Sequence, residues 1–248
     1  MGPVILLFSI VAYLIFFAAF LYLVAFVGGD MIPYVRAPKT LDWGASIFTG
    51  APPALVNIGL LVLFGLQHSV MARPGFKRGL TKIVPEAAER SVYVLATVAV
   101  LVLLYAGWAP MTGIVWSVES GLWSGVVTAI FYIGFGLVLL STFLINHFEL
   151  FGLRQGWMGF RNRPMPAAEF RIPLLYNLVR HPLYLGFLLA FWATPLMTTG
   201  HLLFAAVWTA YIFIAIGYEE RDLLGLFGDK YRDYMAKTPS ILPLGKRR

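Results

Sequence analysis

The chain has 248 residues, of which 59% are hydrophobic and 12% charged; a soluble domain carries about 25% charge, so the composition excludes a soluble globular protein and indicates an integral membrane one. The absence of cysteine excludes disulfides, thiolate metal sites and a cysteine nucleophile. The net charge of +7 comes without a basic stretch interleaved with exposed aromatics, so no nucleic-acid partner is expected.

Six apolar segments are predicted, at roughly 4–27, 52–71, 91–107, 123–146, 183–199 and 201–217. A helix needs about 20 residues to cross the hydrocarbon. The first four segments are expected to span, while the last two, of 17 residues each, are marginal. They read as a tight hairpin turned at "MTTGH" (197–201), with Pro195 bending its first arm. The fold class is all-α: a polytopic bundle of about five to six transmembrane segments with a C-terminal helical hairpin. Segment 4–27 is too long for a signal-peptide core and no basic region precedes it, so it reads as a retained helix.

Lysine and arginine placement orients the segments. Arg73, Lys77, Arg78, Lys82 and Arg90 lie between the second and third, and Arg154, Arg161, Arg163, Arg171 and Arg180 between the fourth and fifth. Arg221, Lys230, Arg232, Lys237, Lys246, Arg247 and Arg248 follow the sixth, leaving only Arg36 and Lys39 in the first loop. The 17 to 2 asymmetry predicts that both termini are cytoplasmic. The expected organisation is one membrane domain over 1–248. It comprises a four-helix part (1–150), a Pro- and Arg-rich connector (152–173) and a C-terminal element (174–243). In the tail, "EERDLLGLFGDKYRDYMAK" places Leu223, Leu224, Phe227, Tyr231 and Tyr234 at approximately helical spacing. Gly225 and Gly228 interrupt it, so an amphipathic helix at the membrane surface is expected.

Uncommon polar groups gather at one end of four segments. Gln67 and His68 end the second; Asn146, His147 and Glu149 end the fourth; Arg180 and His181 open the fifth; Glu219 and Glu220 close the sixth. Groups of this kind are costly in lipid and face a protein interior or a wet cavity. A shared site on the cytoplasmic side is therefore expected, against the plainer reading of interfacial anchors and caps. His201, at the outer turn, stands apart. Pro182 suits the first helical position, and a helix starting there aims free amide donors at an anion beside Arg180 and His181. Four histidines are too few for a membrane di-iron oxygenase, and no metal is expected.

Two stretches taken together, "LYNLVRHPLYLG" (175–186) and "EERDLLGLFGDKYRDYMAKTPSILP" (219–243), resemble the C-terminal signature of the isoprenylcysteine carboxyl methyltransferase superfamily of membrane enzymes. The resemblance implies S-adenosylmethionine (SAM) as cofactor, bound by Tyr176, Arg180, His181, Pro182, Leu183, Tyr184 and Glu219. One departure is informative. The prenylcysteine enzymes carry an arginine four residues before the matching glutamate, and here that position is Ala215, which argues against prenylated protein substrates. The stretches "LFGLQHSVMARPGFKR" (63–78), "ERSVYVL" (89–95), "LLSTFLINHFELFGLRQ" (139–155) and "FWATPLMTTGHLLFA" (191–205) resemble one branch, the bacterial methanethiol S-methyltransferases. That branch implies transfer of a methyl group from SAM to a small thiol in a bacterial inner membrane, with no obligate protein partner. For this chemistry His147 is the first candidate base, His68 the second, and Glu149 a polarising group or the orienter of an arginine such as Arg154. Nurim-like and NnrU-like membrane proteins share parts of the pattern and give a non-catalytic alternative; methylation of a lipid is another.

Overall fold

The computed structural model describes residues 1–167 and 169–244; Lys246, Arg247 and Arg248, counted above in the basic tail, lie outside them. In chain order the first elements are α1 (Gly2–Gly28), α2 (Pro53–Ala72), α3 (Pro74–Leu80), α4 (Glu86–Gly107), β1 (Ile114–Ser117) and α5 (Gly121–Ile145). There follow α6 (His147–Leu150), α7 (Leu153–Phe160), α8 (Pro182–Trp192), β2 (Leu196–Thr198), α9 (Thr199–Phe227) and α10 (Asp229–Lys237). Among the described residues, α1, α2, α4, α5 and α9 are long and apolar enough to cross a membrane, which makes this an all-helical, multi-pass membrane protein.

The fifth apolar segment is a shorter hairpin arm than expected, packed back on α9 through Phe191 against Trp208. Its helix, α8, has 11 residues and is about 16 Å long, too short to cross. Proline lacks an amide donor and restricts the residue before it, so the helix ends at Trp192, ahead of Pro195. The chain then runs extended through β2, which pairs with β1, in place of the turn expected at 197–201. The sixth segment gains what the fifth lost. It starts at Thr199 and continues for 29 residues, absorbing Glu219, Glu220 and Gly225. Gly228, at φ +55, is the break that starts α10.

Two compact units share the chain. The first holds Met1–Val115, His147–Pro166 and Thr198–Phe204. In it α1 packs on α4 and α7, and α4 also on α2 and α7. Small residues let α7 lie close: a Cβ on Gly156 would stand 2.4 Å from Ser9 Oγ, and one on Gly152 would stand 2.6 Å from Ser91 Oγ. Gly152, at φ +89, also needs the left-handed region that glycine alone enters freely. Ser9 and Ser91 share a buried 2.9 Å hydrogen bond.

The second unit holds Trp116–Asn146, Ala167–Met197 and the residues from Ala205 onward. Its main packing joins α5 to α8, backbone against backbone at Gly134 and Gly186. A Cβ on Gly134 would meet Ala190 N at 2.6 Å, and one on Gly186 would meet Gly134 O at 2.7 Å. Between membrane helices, where apolar association gains little from water, this close approach supplies the attraction. Ile212, Ile216 and Ile241 form a buried cluster with Tyr184, Leu185, Phe187 and Leu188 packed against it.

Candidate active site

Within the second unit the start of α8 is built by parts of the chain some 40 to 60 residues away. The backbone N–H of Arg180 donates to Pro239 O at 2.9 Å, and that of His181 to Ser240 O at 3.0 Å. This pairing explains why "TPSILP" belongs to the same signature as "RHP". Arg180 donates from Nε and Nη2 to Glu220 Oε1 at 2.8 and 2.7 Å, and from Nη1 to Thr238 O at 2.5 Å and Met235 O at 3.3 Å. Its side chain is 8% exposed, so the guanidinium is engaged on every edge by the protein itself.

His181 is buried and sits between two carboxylates. Nε2 lies 3.0 Å from Glu220 Oε1 and Nδ1 lies 3.8 Å from Glu219 Oε2. The two glutamates differ: Glu220 is closed in, whereas the Glu219 side chain is 45% exposed. The Tyr184 ring packs over the His181 imidazole at 5.6 Å. Pro182 takes the first position of α8, and no side chain caps the helix. The amide of Leu183 lies in that first turn, where no intrahelical acceptor exists.

Three tyrosines complete the group. Tyr234 donates to Tyr176 O at 2.5 Å, and the Tyr176 hydroxyl reaches Ser141 O at 3.5 Å, the outer limit of a hydrogen bond. Burial, with Glu219 adding to it, pushes the Tyr176 hydroxyl well above its usual pKa; Tyr234 is pushed up to about 12 by burial. Both therefore stay neutral donors. The Tyr231 hydroxyl is buried without a hydrogen-bond partner, which is uncommon in a folded interior. A first-turn helix amide suits a carboxylate, an exposed glutamate suits an ammonium, and an orphaned hydroxyl suits either. That donor set fits the amino-acid end of a zwitterionic ligand.

The first unit resumes at His147, after α5 has ended. Asn146 is extended (φ −178), and His147 opens the single turn of α6. The helix thus breaks between Asn146 and Glu149. His147 is 3% exposed, with Nε2 2.9 Å from the Tyr13 hydroxyl and ring contacts to Tyr13, Phe148 and Phe151. Burial holds its pKa below the usual 6.5, keeping the imidazole neutral. Glu149 binds Arg154 Nη1 at 2.6 Å, both side chains about 40% exposed.

His68 has other partners. It stacks on Phe64 at 5.4 Å, and the Tyr93 hydroxyl lies within 3.0 Å of its ring. Arg90 covers the Tyr93 ring at 4.9 Å and donates to Leu150 O at 2.7 Å. Gln67 Oε1, Glu89 Oε1 and Gln155 Oε1 are buried without hydrogen-bond partners, three acceptors available to a donor. Sequence reasoning missed Tyr13, Tyr93, Tyr231 and the work of Glu220. The tyrosines sit among many aromatics with nothing local to mark them. Glu220 was visible only as half of "EE".

The site can now be set beside known proteins. The NnrU protein family matches residues 56–218. A protein of Bradyrhizobium diazoefficiens named methanethiol S-methyltransferase 2 is 47% identical over 96% of this chain and 90% of its own. One of Mycobacterium tuberculosis named methanethiol S-methyltransferase is 46% identical over 96% of this chain and 95% of its own. More distantly, nurim of Xenopus laevis is 32% identical over 67% of this chain and 61% of its own. No solved structure matches. Such likeness over nearly the whole length places the chain in the NnrU protein family, among the membrane proteins named methanethiol S-methyltransferase.

Proposed function

We propose that this protein is a SAM-dependent methyltransferase of a bacterial inner membrane that converts methanethiol to dimethyl sulfide, with both termini cytoplasmic. The observation that supports it most is the identity of about 46% to named methanethiol S-methyltransferases along nearly the whole chain. The donor set at the start of α8 is compatible with it: the Leu183 amide for the carboxylate of SAM, Glu219 for its ammonium, and Tyr176 and Tyr231 as neutral hydroxyls. Arg180 and Glu220 hold that frame.

Bound SAM supplies an electrophilic methyl group on a sulfonium. The reactive form of the acceptor is its thiolate, and alkyl thiols are mostly protonated at neutral pH. His147 takes that proton in this reading. Its burial keeps it neutral and able to accept, and the Tyr13 hydroxyl fixes its ring. The aromatic enclosure of Tyr13, Phe148 and Phe151 keeps water from the imidazole. Thiolate and sulfonium lose charge as they react, so the transition state needs no buried countercharge, and low-dielectric surroundings favour it.

The test is binding of labelled SAM to purified protein, with Glu219→Ala and His181→Ala. Binding by the wild type, weakened in both variants, is expected; equal binding by all three would refute the assignment of these residues. The nurim likeness supports a second, non-catalytic reading, which absence of any SAM binding by folded protein would favour.

A further inference from the structure

His147 is closed in on every side that its neighbours define. It is 3% exposed, and three rings stand edge-on to its imidazole: Tyr13 at 5.6 Å, Phe148 at 5.5 Å and Phe151 at 4.9 Å. Phe16 stacks on Phe151 at 4.0 Å and backs that wall. All of these residues lie in the first unit. A base works within hydrogen-bond reach of the proton it takes, and this enclosure leaves the imidazole almost no surface to offer a thiol. Tyr13 differs. It is only half-buried, and its hydroxyl lies 2.9 Å from His147 Nε2.

A phenol hydroxyl has one hydrogen to donate and two lone pairs with which to accept. With the imidazole hydrogen on Nδ1, Nε2 accepts from Tyr13, and the phenol oxygen keeps a lone pair for a second donor. The S–H of a thiol is such a donor. The location suits it: Tyr13 is the twelfth residue of α1, about 17 Å along that helix, which is long and apolar enough to cross a membrane. Apolar surroundings admit the neutral thiol far more readily than the thiolate, so the acceptor arrives with its proton still in place.

We propose that Tyr13 is a catalytic residue which relays the substrate's proton to His147; this rests on the reading of the protein as a thiol methyltransferase with His147 as base. The phenol oxygen receives the thiol proton while its own proton passes to His147 Nε2. The S–H bond breaks and its electron pair stays on sulfur; one O–H bond forms as the other breaks, and an N–H bond forms. Thiolate, neutral tyrosine and imidazolium result, and the imidazolium gives its proton to water once product has left. Tyr13 never carries the charge, which would be costly on a phenolate in this setting.

Kinetics of purified Tyr13→Phe and His147→Gln test this, with labelled SAM binding measured on each. Two acceptors are used: methanethiol, and trifluoroethanethiol, a small thiol made acidic by fluorine and largely ionised at about pH 8. Tyr13→Phe keeps the ring against His147 and removes only the oxygen. With methanethiol it should lose about as much kcat as His147→Gln, roughly 100-fold, and the double variant should lose no more than either, as groups acting in one unit do. With the ionised thiol, which needs no base, both losses should shrink to within about threefold. SAM binding should match the wild type throughout. The proposal is overturned if Tyr13→Phe stays within about tenfold of wild type on methanethiol while His147→Gln falls by roughly 100-fold, since Tyr13 would then only orient the ring. An equal loss with the ionised thiol, or lost SAM binding in Tyr13→Phe, would overturn it as well. No dimethyl sulfide from the wild type would refute the methyltransferase reading itself, and the relay with it.

Discussion

Glu220→Gln removes the only carboxylate that, among the described residues, contacts Arg180. The two side chains are 15% and 8% exposed, so water cannot take over. What remains to the guanidinium is the carbonyls of Thr238 and Met235 at 2.5 and 3.3 Å, which satisfy donors without neutralising charge. Breaking a buried pair from one side costs about 3–5 kcal/mol, whereas replacing both partners by neutral groups is often near neutral. The retained carbonyl bonds place Glu220→Gln at the lower end, about 3 kcal/mol, a factor of roughly 100 in the unfolding constant. Arg180→Met should cost somewhat less, because His181 still faces Glu220 at 3.0 Å. The double variant should be more stable than the sum of the single losses predicts, by about 2 kcal/mol. Reversible unfolding in mixed micelles, followed by far-UV circular dichroism without SAM, reads all four corners of the cycle. Additive losses would mean that Arg180 and Glu220 are not a coupled buried pair, and the account of how α8 is held would fail.

Gly186→Ala should destabilise by about 1–3 kcal/mol as an overpacked contact, since the new Cβ would meet the backbone of Gly134 and Val138 below 3 Å; thermal melting of the variant checks it. His147 gives a pH signature. Burial holds its folded pKa below 6.5, so between the two values the unfolded chain binds more protons. The stabilisation is complete above about pH 6.5 and is lost as pH falls through the folded value. The melting temperature of the wild type should therefore fall more steeply below that pH than that of His147→Gln; parallel curves would contradict the burial. Glu149→Gln should change stability by less than about 1 kcal/mol, because its pair with Arg154 is substantially solvated.

Hydropathy and the basic-residue pattern made the class and most spans legible, since long apolar runs have one solution in a bilayer. The fifth segment misled for a physical reason. Hydropathy reports whether residues 183–199 prefer an apolar setting, and it does not report the backbone. Pro195 ends helical geometry while apolarity continues into β2. The sixth segment misled in the opposite sense: charges at 219–222 end the hydropathy run, yet nothing there stops a helix, and only Gly228 does. At the site, residue types were readable and partnerships were not. The signature drew attention to Arg180, His181 and Glu219, but which glutamate faces Arg180 depends on the rotation of α9, about 100° per residue. Tyr13 reaches His147 across 134 positions, a contact that no local pattern encodes.

The central claim is thiol methylation with SAM. Headspace gas chromatography of purified protein in detergent, given SAM and methanethiol, measures it directly, with Glu219→Ala as control. Dimethyl sulfide from the wild type, with little from the variant, is the predicted result. No dimethyl sulfide from wild-type protein shown to be folded and to bind SAM would contradict the account and assign the methyl group to another acceptor.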